Sequence, residues 1–416
     1  MQRREFVAAA GAIAARLSTR KSEVGTRNTL PSIPFRAPRS EFRVISGQEP
    51  SLSPEVFARR LERARAELKT RSLDLLIATP STNYEYFTGY NPGRSERLIA
   101  LLLPVVGPPA IVCPSFELER IKRHSVITEL RGWEEQDDPH VLVRDTVRRL
   151  MPGSGKGTIA LESSTAYQTS LRLGHALPDW TFVDAAPVTE RLRVLKSPEE
   201  IALLRRAIAI TLDAMGATFA QLAVGTTERD VARILEREMQ QRGAPGDGLV
   251  QFGPSSALPH GGPGGPKLER EMVVLIDCGC RVGGYTSDIT RTIWFGDRPS
   301  DEFRKVFNVV HDAQTAAMEL GRPGTPCEEM DRAARRVITA AGYGPFFTHR
   351  LGHGLGMDGH EPEYLVEGNQ THLEPGMVFT IEPGIYQLGK FGVRIEDDCV
   401  MTATGVEVLS QRAVKL

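Results

Sequence analysis

An excess of charge of one sign is the first thing this sequence lacks. Its 51 basic and 52 acidic residues leave a formal net charge of -1, so no long-range field draws it to nucleic acid or to anionic lipid, and a nucleic-acid partner is not expected. Long apolar runs are also missing. The longest candidates, Phe6 to Ala15 and Leu98 to Val106, fall short of the roughly 18 residues that a spanning helix needs, so no stable membrane span is expected. Cysteine is sparse: Cys113, Cys278, Cys280, Cys327 and Cys399 are odd in number, scattered, and form no CxxC. This argues against a disulfide framework, and the five read as small buried hydrophobes. What is present is ordinary globular material, 41% apolar, in a chain of 416 residues that exceeds what one core usually fills. Two domains are expected.

The opening differs in character from the rest. Arg3-Arg4-Glu5-Phe6-Val7 runs into the small apolar stretch Ala8 to Ala15, followed by basic and proline-containing sequence to about Arg43. Paired arginines before a modest apolar core match a twin-arginine export signal, so residues 1–45 read as leader and tether, with a periplasmic or exported destination; a frayed basic terminus on a cytoplasmic protein is the alternative. Residues 46–192 then alternate apolar runs with helical periods. Pro54 to Lys69 has helical spacing; Leu73 to Ala78, Leu98 to Val106 and Ala110 to Cys113 read as strands; Glu117 to His124 and Val141 to Leu150 read as helices. That alternation predicts a small α/β domain with a largely buried sheet, ending near Thr189. Ser197-Pro198-Glu199-Glu200 is a capping box with proline in the first turn, so a long helix and a second domain, 193–416, begin there. Another helix is expected after Thr227, strands dominate from Gln251, and helices interrupt them near Asp301 to Leu320 and Pro326 to Ala341.

The chemistry concentrates in the second domain. Met272 to Asp277 is an apolar run ending in an acid; Gly283-Gly284-Tyr285 turns the chain, and Asp288-Ile289-Thr290-Arg291-Thr292 returns. A strand, a turn and a returning strand bring Asp277 and Asp288 near each other. Three of the nine histidines, His349, His353 and His360, lie in a glycine-rich segment that ends in Glu361, where glycine lets backbone approach a ligand closely. Val378 to Ile381 delivers Glu382 just before Pro383-Gly384, and Arg394 and Glu396 share one face of a strand. Four carboxylates and an imidazole on strand faces are costly to bury unless paired or bound to metal. Mostly oxygen ligands with one nitrogen suit Mn, Co or Zn, and bridging carboxylates would hold two cations at the spacing of two-metal hydrolases.

These residues resemble the creatinase and methionine aminopeptidase superfamily with the pita-bread fold, and within it the aminopeptidase P and prolidase branch. The pattern D-x-G-x4-G-Y-x-x-D-x-T-R-T is met from Asp277 to Thr292, and H-x-x-x-H-G-x-G-x-x-x-H-E from His349 to Glu361; Glu382-Pro383-Gly384 and Arg394-x-Glu396 complete the set. The likeness extends from about Ser53 to the end. It implies an α/β N-terminal domain plus an α+β pita-bread catalytic domain, and a homo-oligomer, dimer or tetramer. It implies that Asp277 chelates one of two divalent ions, manganese first, that Asp288 and Glu396 bridge both, and that His353 and Glu382 bind the other. His260, His349 and His360 then border the substrate, with structural roles as the alternative. His360 would stabilise an oxyanion, Glu382 with His260 would carry a proton to the leaving nitrogen, and Arg394 would balance the ligands or hold a substrate carboxylate.

The function implied is hydrolysis of the bond before proline at a peptide N-terminus, by an Xaa-Pro aminopeptidase or by an Xaa-Pro dipeptidase. A metal-free creatinase-like hydrolase and metal-free binding modules should lack the ligand set. A lyase of this fold would carry an extra aspartate where this chain has Gly279, and methionine aminopeptidases generally lack the N-terminal domain.

Overall fold

Pro54 sits in the first turn of helix α1 (Pro54–Thr70), where its missing N–H costs no helical hydrogen bond, and Val56, Phe57, Ala64 and Leu68 turn inward. The computed structural model describes residues 52–416, so the twin-arginine reading of Arg3 and Arg4 falls outside the described residues. Next come β1 (Leu75–Ala78), α2 (Thr82–Thr88), β2 (Ala100–Pro104), β3 (Ala110–Pro114), α3 (Leu118–His124), β4 (Leu130–Trp133) and α4 (Pro139–Leu150). After these follow β5 (Gly157–Leu161), α5 (Tyr167–Ala176), β6 (Trp180–Asp184) and α6 (Ala186–Val194).

The six strands form one sheet in the order β4-β3-β2-β1-β5-β6. It is mixed: β2 runs antiparallel to β1 and β3, while the β3–β4, β1–β5 and β5–β6 pairs are parallel. Alternate residues of its central strands feed two cores. Leu76, Ala78, Leu101 and Leu103 pack on one side, and Leu75, Ile77, Ala100 and Leu102 on the other, so both faces are covered and the strands read as continuous apolar runs. The end expected near Thr189 falls inside α6, which continues to Val194.

Helix α7 (Pro198–Phe219) opens on the expected capping box, Ser197 and Glu200 each satisfying the other's backbone N–H. Helix α8 (Glu228–Gln241) repeats the device with Thr227 and Asp230. Strands β7 (Gly246–Phe252), β8 (Met272–Val282), β9 (Tyr285–Thr286) and β10 (Ile289–Phe295) follow, then α9 (Asp301–Leu320) and α10 (Cys327–Ala340). The chain ends with β11 (Gly352–Gly354), β12 (Glu361–Leu365), β13 (Val378–Ile381), β14 (Gly384–Gln387), β15 (Phe391–Arg394), β16 (Asp397–Met401) and β17 (Val406–Val408).

One sheet has the order β10-β8-β7, with β9 also on β8; a second runs β12-β11-β13-β16-β17; β14 and β15 form a hairpin. Cys278 and Cys280 point together into the core shared with α7, and the five cysteines are buried and free. Helices α9 and α10 share a core with Phe379, Ile381 and Cys399 of the second sheet. Strand β7 begins five residues before the expected Gln251. Pro245-Gly246-Asp247-Gly248 reads as a turn, yet its glycines are there for close pairing: a Cβ at Gly246 would lie 2.4 Å from the Gly279 carbonyl, and one at Gly248 2.4 Å from the Cys278 Cβ. Among the described residues no helix is long and apolar enough to cross a membrane.

Candidate active site

Asp277 stands on β8 opposite Thr290 of β10, and Asp288 lies one residue before β10, so the turn at Gly283-Gly284 sets the two acids on neighbouring strands. Glu382 leaves the end of β13, Glu396 lies between β15 and β16, and His353 is the middle residue of β11. All nine residues singled out in the sequence (His260, Asp277, Asp288, His349, His353, His360, Glu382, Arg394, Glu396) line one cavity of about 590 Å³, together with Pro259 and Arg350.

Their hydrogen bonds settle several protonation states. His353 Nδ1 lies 3.0 Å from the carbonyl of Gly354. A carbonyl only accepts, so Nδ1 carries the proton and, in the neutral ring, Nε2 presents a lone pair. Burial and the neighbouring His360 hold the ring neutral, with its pKa pushed down to about 3. That lone pair lies 3.3 Å from Glu382 Oε1 and 3.8 Å from Asp288 Oδ2. Acceptors facing acceptors require a cation, or a shared proton, between them. Ligand atoms of Asp277, Asp288 and Glu396 form one compact group and those of His353, Glu382 and Glu396 another, each within 4.8 Å. Protein cations neutralise only part of this charge, and burial with mutual repulsion raises Asp288 and Glu396 well above the carboxylate range and Glu382 to about 8. The donor set therefore fits divalent metal.

Arg394 is buried and engaged at all three of its side-chain nitrogens. Its guanidinium donates to Asp277 Oδ2 at 2.6 Å, the Thr290 hydroxyl at 3.1 Å, the Tyr386 hydroxyl at 2.9 Å and the Pro259 carbonyl at 3.2 Å. His349 is also occupied at both nitrogens. Nδ1 donates to the Arg350 carbonyl at 2.7 Å, so Nε2 accepts from the Tyr386 hydroxyl at 2.8 Å. His360 stacks on His353 with ring centroids 3.8 Å apart, and its Nδ1 accepts from Arg350 at 3.0 Å. His260 is exposed at the mouth of the cavity.

Sequence reasoning missed the support beneath this surface. The Asp288 N–H donates to buried Asp398 at 3.1 Å, and Thr290 donates to Glu396 at 2.6 Å. Arg291 holds the Glu396 carbonyl and Asp397, which also accepts from Gln314 at 2.9 Å. A run of three acids entering an apolar strand, Glu396-Asp397-Asp398, was the available signal. Arg350 was missed too, because nothing in a glycine-rich segment says which way its side chain turns.

Comparison with known proteins matches residues 60–195 to the Creatinase/Prolidase N-terminal domain and residues 202–403 to Metallopeptidase family M24. An uncharacterized peptidase of Staphylococcus aureus (strain bovine RF122 / ET3-1) is 37% identical over 83% of this chain and 96% of its own length. The dipeptidase PepE of Mycobacterium ulcerans superposes with a TM-score of 0.81 at 35% identity, covering 88% of this chain and 99% of its own. An X-Pro aminopeptidase from Thermotoga maritima MSB8 gives 0.75 at 31%, covering 84% and 99%. With the ligand-type cluster and both domains in place, the chain belongs to metallopeptidase family M24, in its creatinase, prolidase and aminopeptidase P division.

Proposed function

We propose that the chain is a dinuclear metallopeptidase that cuts the bond preceding proline at the N-terminus of a peptide and releases the first residue. The observation that carries the metal part is the His353 Nε2 lone pair aimed at the carboxylates of Glu382 and Asp288. Asp277, Asp288 and Glu396 would hold one ion and His353, Glu382 and Glu396 the other, Glu396 belonging to both groups and Asp288 also grouping with His353 and His360. Oxygen-rich ligands with one imidazole and no thiolate favour Mn, with Co or Zn next. Two such ions, when bound, supply Lewis acidity and lower the pKa of water toward neutrality.

The protein groups divide the remaining work. Arg394, spent on Asp277 and on fixed protein oxygens, balances and orients the ligand set and leaves no free fork for a substrate carboxylate. Since Arg350 only donates, the neutral His360 ring carries its proton on Nε2, which makes it the donor for an oxyanion in the cavity. His349 acts as a positioning residue, fixing Tyr386 and through it Arg394. Glu382 and exposed His260 remain to pass a proton to the departing nitrogen. A proline imide has no N–H and a fixed ring, and the walls formed by His349 and His360 offer it ring surface without demanding a backbone donor, with Tyr386 buried behind His349. Manganese-loaded enzyme should cut Xaa-Pro-Yaa faster than matched Xaa-Ala-Yaa; equal rates would reject proline specificity.

A second reading, restriction to dipeptides, is favoured by Arg350. Its guanidinium lines the leaving-group cavity, where the prolyl carboxylate of a dipeptide would lie, and dipeptidase PepE of M. ulcerans is among the similar structures. Turnover of Ala-Pro against Ala-Pro-Gly separates the two: only a dipeptidase abandons the tripeptide.

A further inference from the structure

A second cavity, of about 500 Å³, is also lined by Asp277 and Asp288 but by none of the histidines. Its floor follows from strand register. On β7 and β8, Leu249 stands opposite Asp277, and Asp247 opposite Gly279. On the other flank Thr290 stands opposite Asp277, Ile289 opposite Cys278, and Thr286 opposite Arg281, so the same register sets Asp288 opposite Gly279. Directly opposed residues share a face. The floor therefore has two rows, Leu249–Asp277, continued by buried Thr290 beyond the cavity, and Asp247–Gly279–Asp288, and the middle of the second row carries no side chain. None can be added there, since a Cβ at Gly279 would lie 1.9 Å from the Ser287 carbonyl. Two strand spacings, roughly 10 Å, separate Asp247 from Asp288, and between them the Ser287 carbonyl lies over Gly279.

Asp288 belongs to the metal-ligand cluster, whereas Asp247 does not. Asp247 is exposed to the cavity, and among the described residues it has no hydrogen-bond or ion-pair partner. Arg281, one row further along the same face, gives its guanidinium to the carbonyls of Gly284 and Met357. The position thus combines an unneutralised carboxylate, the apolar side chain of Leu249, and a glycine floor widened by Gly359.

We infer that this cavity receives the side chain of the substrate's N-terminal residue and that Asp247 selects a cationic one, lysine or arginine. The inference rests on the reading of the site as an N-terminal peptidase. A scissile bond held at the ligand cluster must send its two sides into the two cavities, and the histidine-lined one takes the proline. A long cationic side chain lays its methylenes along Leu249 and Gly248 and reaches Asp247 with its head group.

The test compares kcat/KM for Lys-Pro-Yaa with that for the uncharged norleucine-Pro-Yaa, using manganese-loaded enzyme. A partly exposed ion pair predicts a preference for lysine of about fivefold, falling as salt is raised. Asp247→Asn should bring the ratio close to one, and Asp247→Lys should turn the preference toward Glu-Pro-Yaa. A ratio near one in the wild type, or one untouched by Asp247→Asn, overturns the inference. Running the same pair with alanine in place of proline keeps the readings apart: equal rates on the proline and alanine series sink proline specificity, while the lysine to norleucine ratio still reports on Asp247. Calorimetric titration with lysine amide and norleucine amide reads the cavity without turnover. Tighter lysine amide binding that Asp247→Asn abolishes supports the inference, and equal binding overturns it.

Discussion

Stripping the metal should make the stability of this protein fall as pH rises from 6.5 to 8, and reloading the metal should remove that fall. The perturbation acts on Glu382, whose carboxyl is raised from 4.5 to about 8 by burial and by nearby Asp277, against the opposing pull of Arg394. Asp288 and Glu396 are raised as well. A group with a raised folded pKa contributes stability that is complete below its unfolded value, here near 4.5, and is lost as pH climbs through the folded value. The buried imidazoles act in the opposite sense. His353 and His349, depressed from 6.5 to about 3 and about 4, contribute stability present above 6.5 and lost as pH falls. Below 6.5 the two effects oppose; between 6.5 and 8 the carboxyls act alone. One proton retained over that interval is worth about 1.5 to 2 kcal/mol for Glu382. The 14% of its side-chain surface open to the cavity trims this toward the lower figure. Bound cations replace the protons, so the loaded enzyme should lose the slope. Urea denaturation of chelated and manganese-loaded protein at pH 6.5, 7.2 and 8 measures it. Stability of the chelated form that is flat or rising across this window would refute the assignment of these carboxyls to a shared cation site.

Replacing Asp288 by Asn or His353 by Ala should abolish hydrolysis and lower bound metal while leaving the circular dichroism spectrum largely unchanged, because both atoms face a cavity and not a core; full turnover by a chelated, metal-free sample would sink the two-metal mechanism. His360→Ala should reduce kcat by about 10² to 10³ with little change in KM, the signature of a donor used only in the transition state. A change confined to KM would move His360 to ground-state binding. Replacing Arg3 and Arg4 together by Lys should leave the protein in the cytoplasm if the twin-arginine machinery reads the pair; cell fractionation that finds the unaltered protein cytoplasmic removes the export reading.

Local chemistry was the legible part of the sequence. The Ser197 capping box, the proline starting α1 and the strand, turn and returning strand around Asp277 and Asp288 depend on residues a few positions apart and appear where the pattern put them, although both strands run longer than the apolar runs suggested. Eight of the nine residues that meet in the cavity belong to short motifs carried by different strands, while His260 is placed in the sequence only by its distance from Asp277 and by the family resemblance. Order in the six-stranded sheet was not legible, since pairing β1 with both β2 and β5 is decided by packing across long sequence separations. Strand β7 was hidden by Gly246 and Gly248, which punctuate a sequence as a turn but here permit close pairing with β8. The states of His349, His353 and His360 were equally hidden. Each is fixed by a carbonyl or an arginine one to ten residues away, contacts that depend on how the backbone turns.

The N-terminal domain is wired into the site's support more directly than a separate α/β unit needs to be. Buried Arg60 of α1 donates to Glu200 at 2.9 Å and to the Tyr285 hydroxyl at 2.5 Å, and Tyr285 stands three residues before Asp288. Thr82 donates to Asp358 at 2.6 Å, while Asn83 accepts from Arg193, which also donates to Asp358 at 2.6 Å and to Glu361. Lys196 adds a bond to Glu361 at 3.0 Å. Asp358 and Glu361 bracket His360, so groups from α2, α6 and the chain linking the domains hold both ends of the short segment that carries His360. Burial alone would raise the Glu361 carboxyl, yet Lys196 and Arg193 bring it down to about 2. Its charge therefore persists through the working pH range, and breaking one partner would leave a buried ion uncompensated. A loop of glycines has little rigidity of its own. In this chain the rigidity comes from the neighbouring domain, and the N-terminal fold is thereby part of how the His360 segment is held.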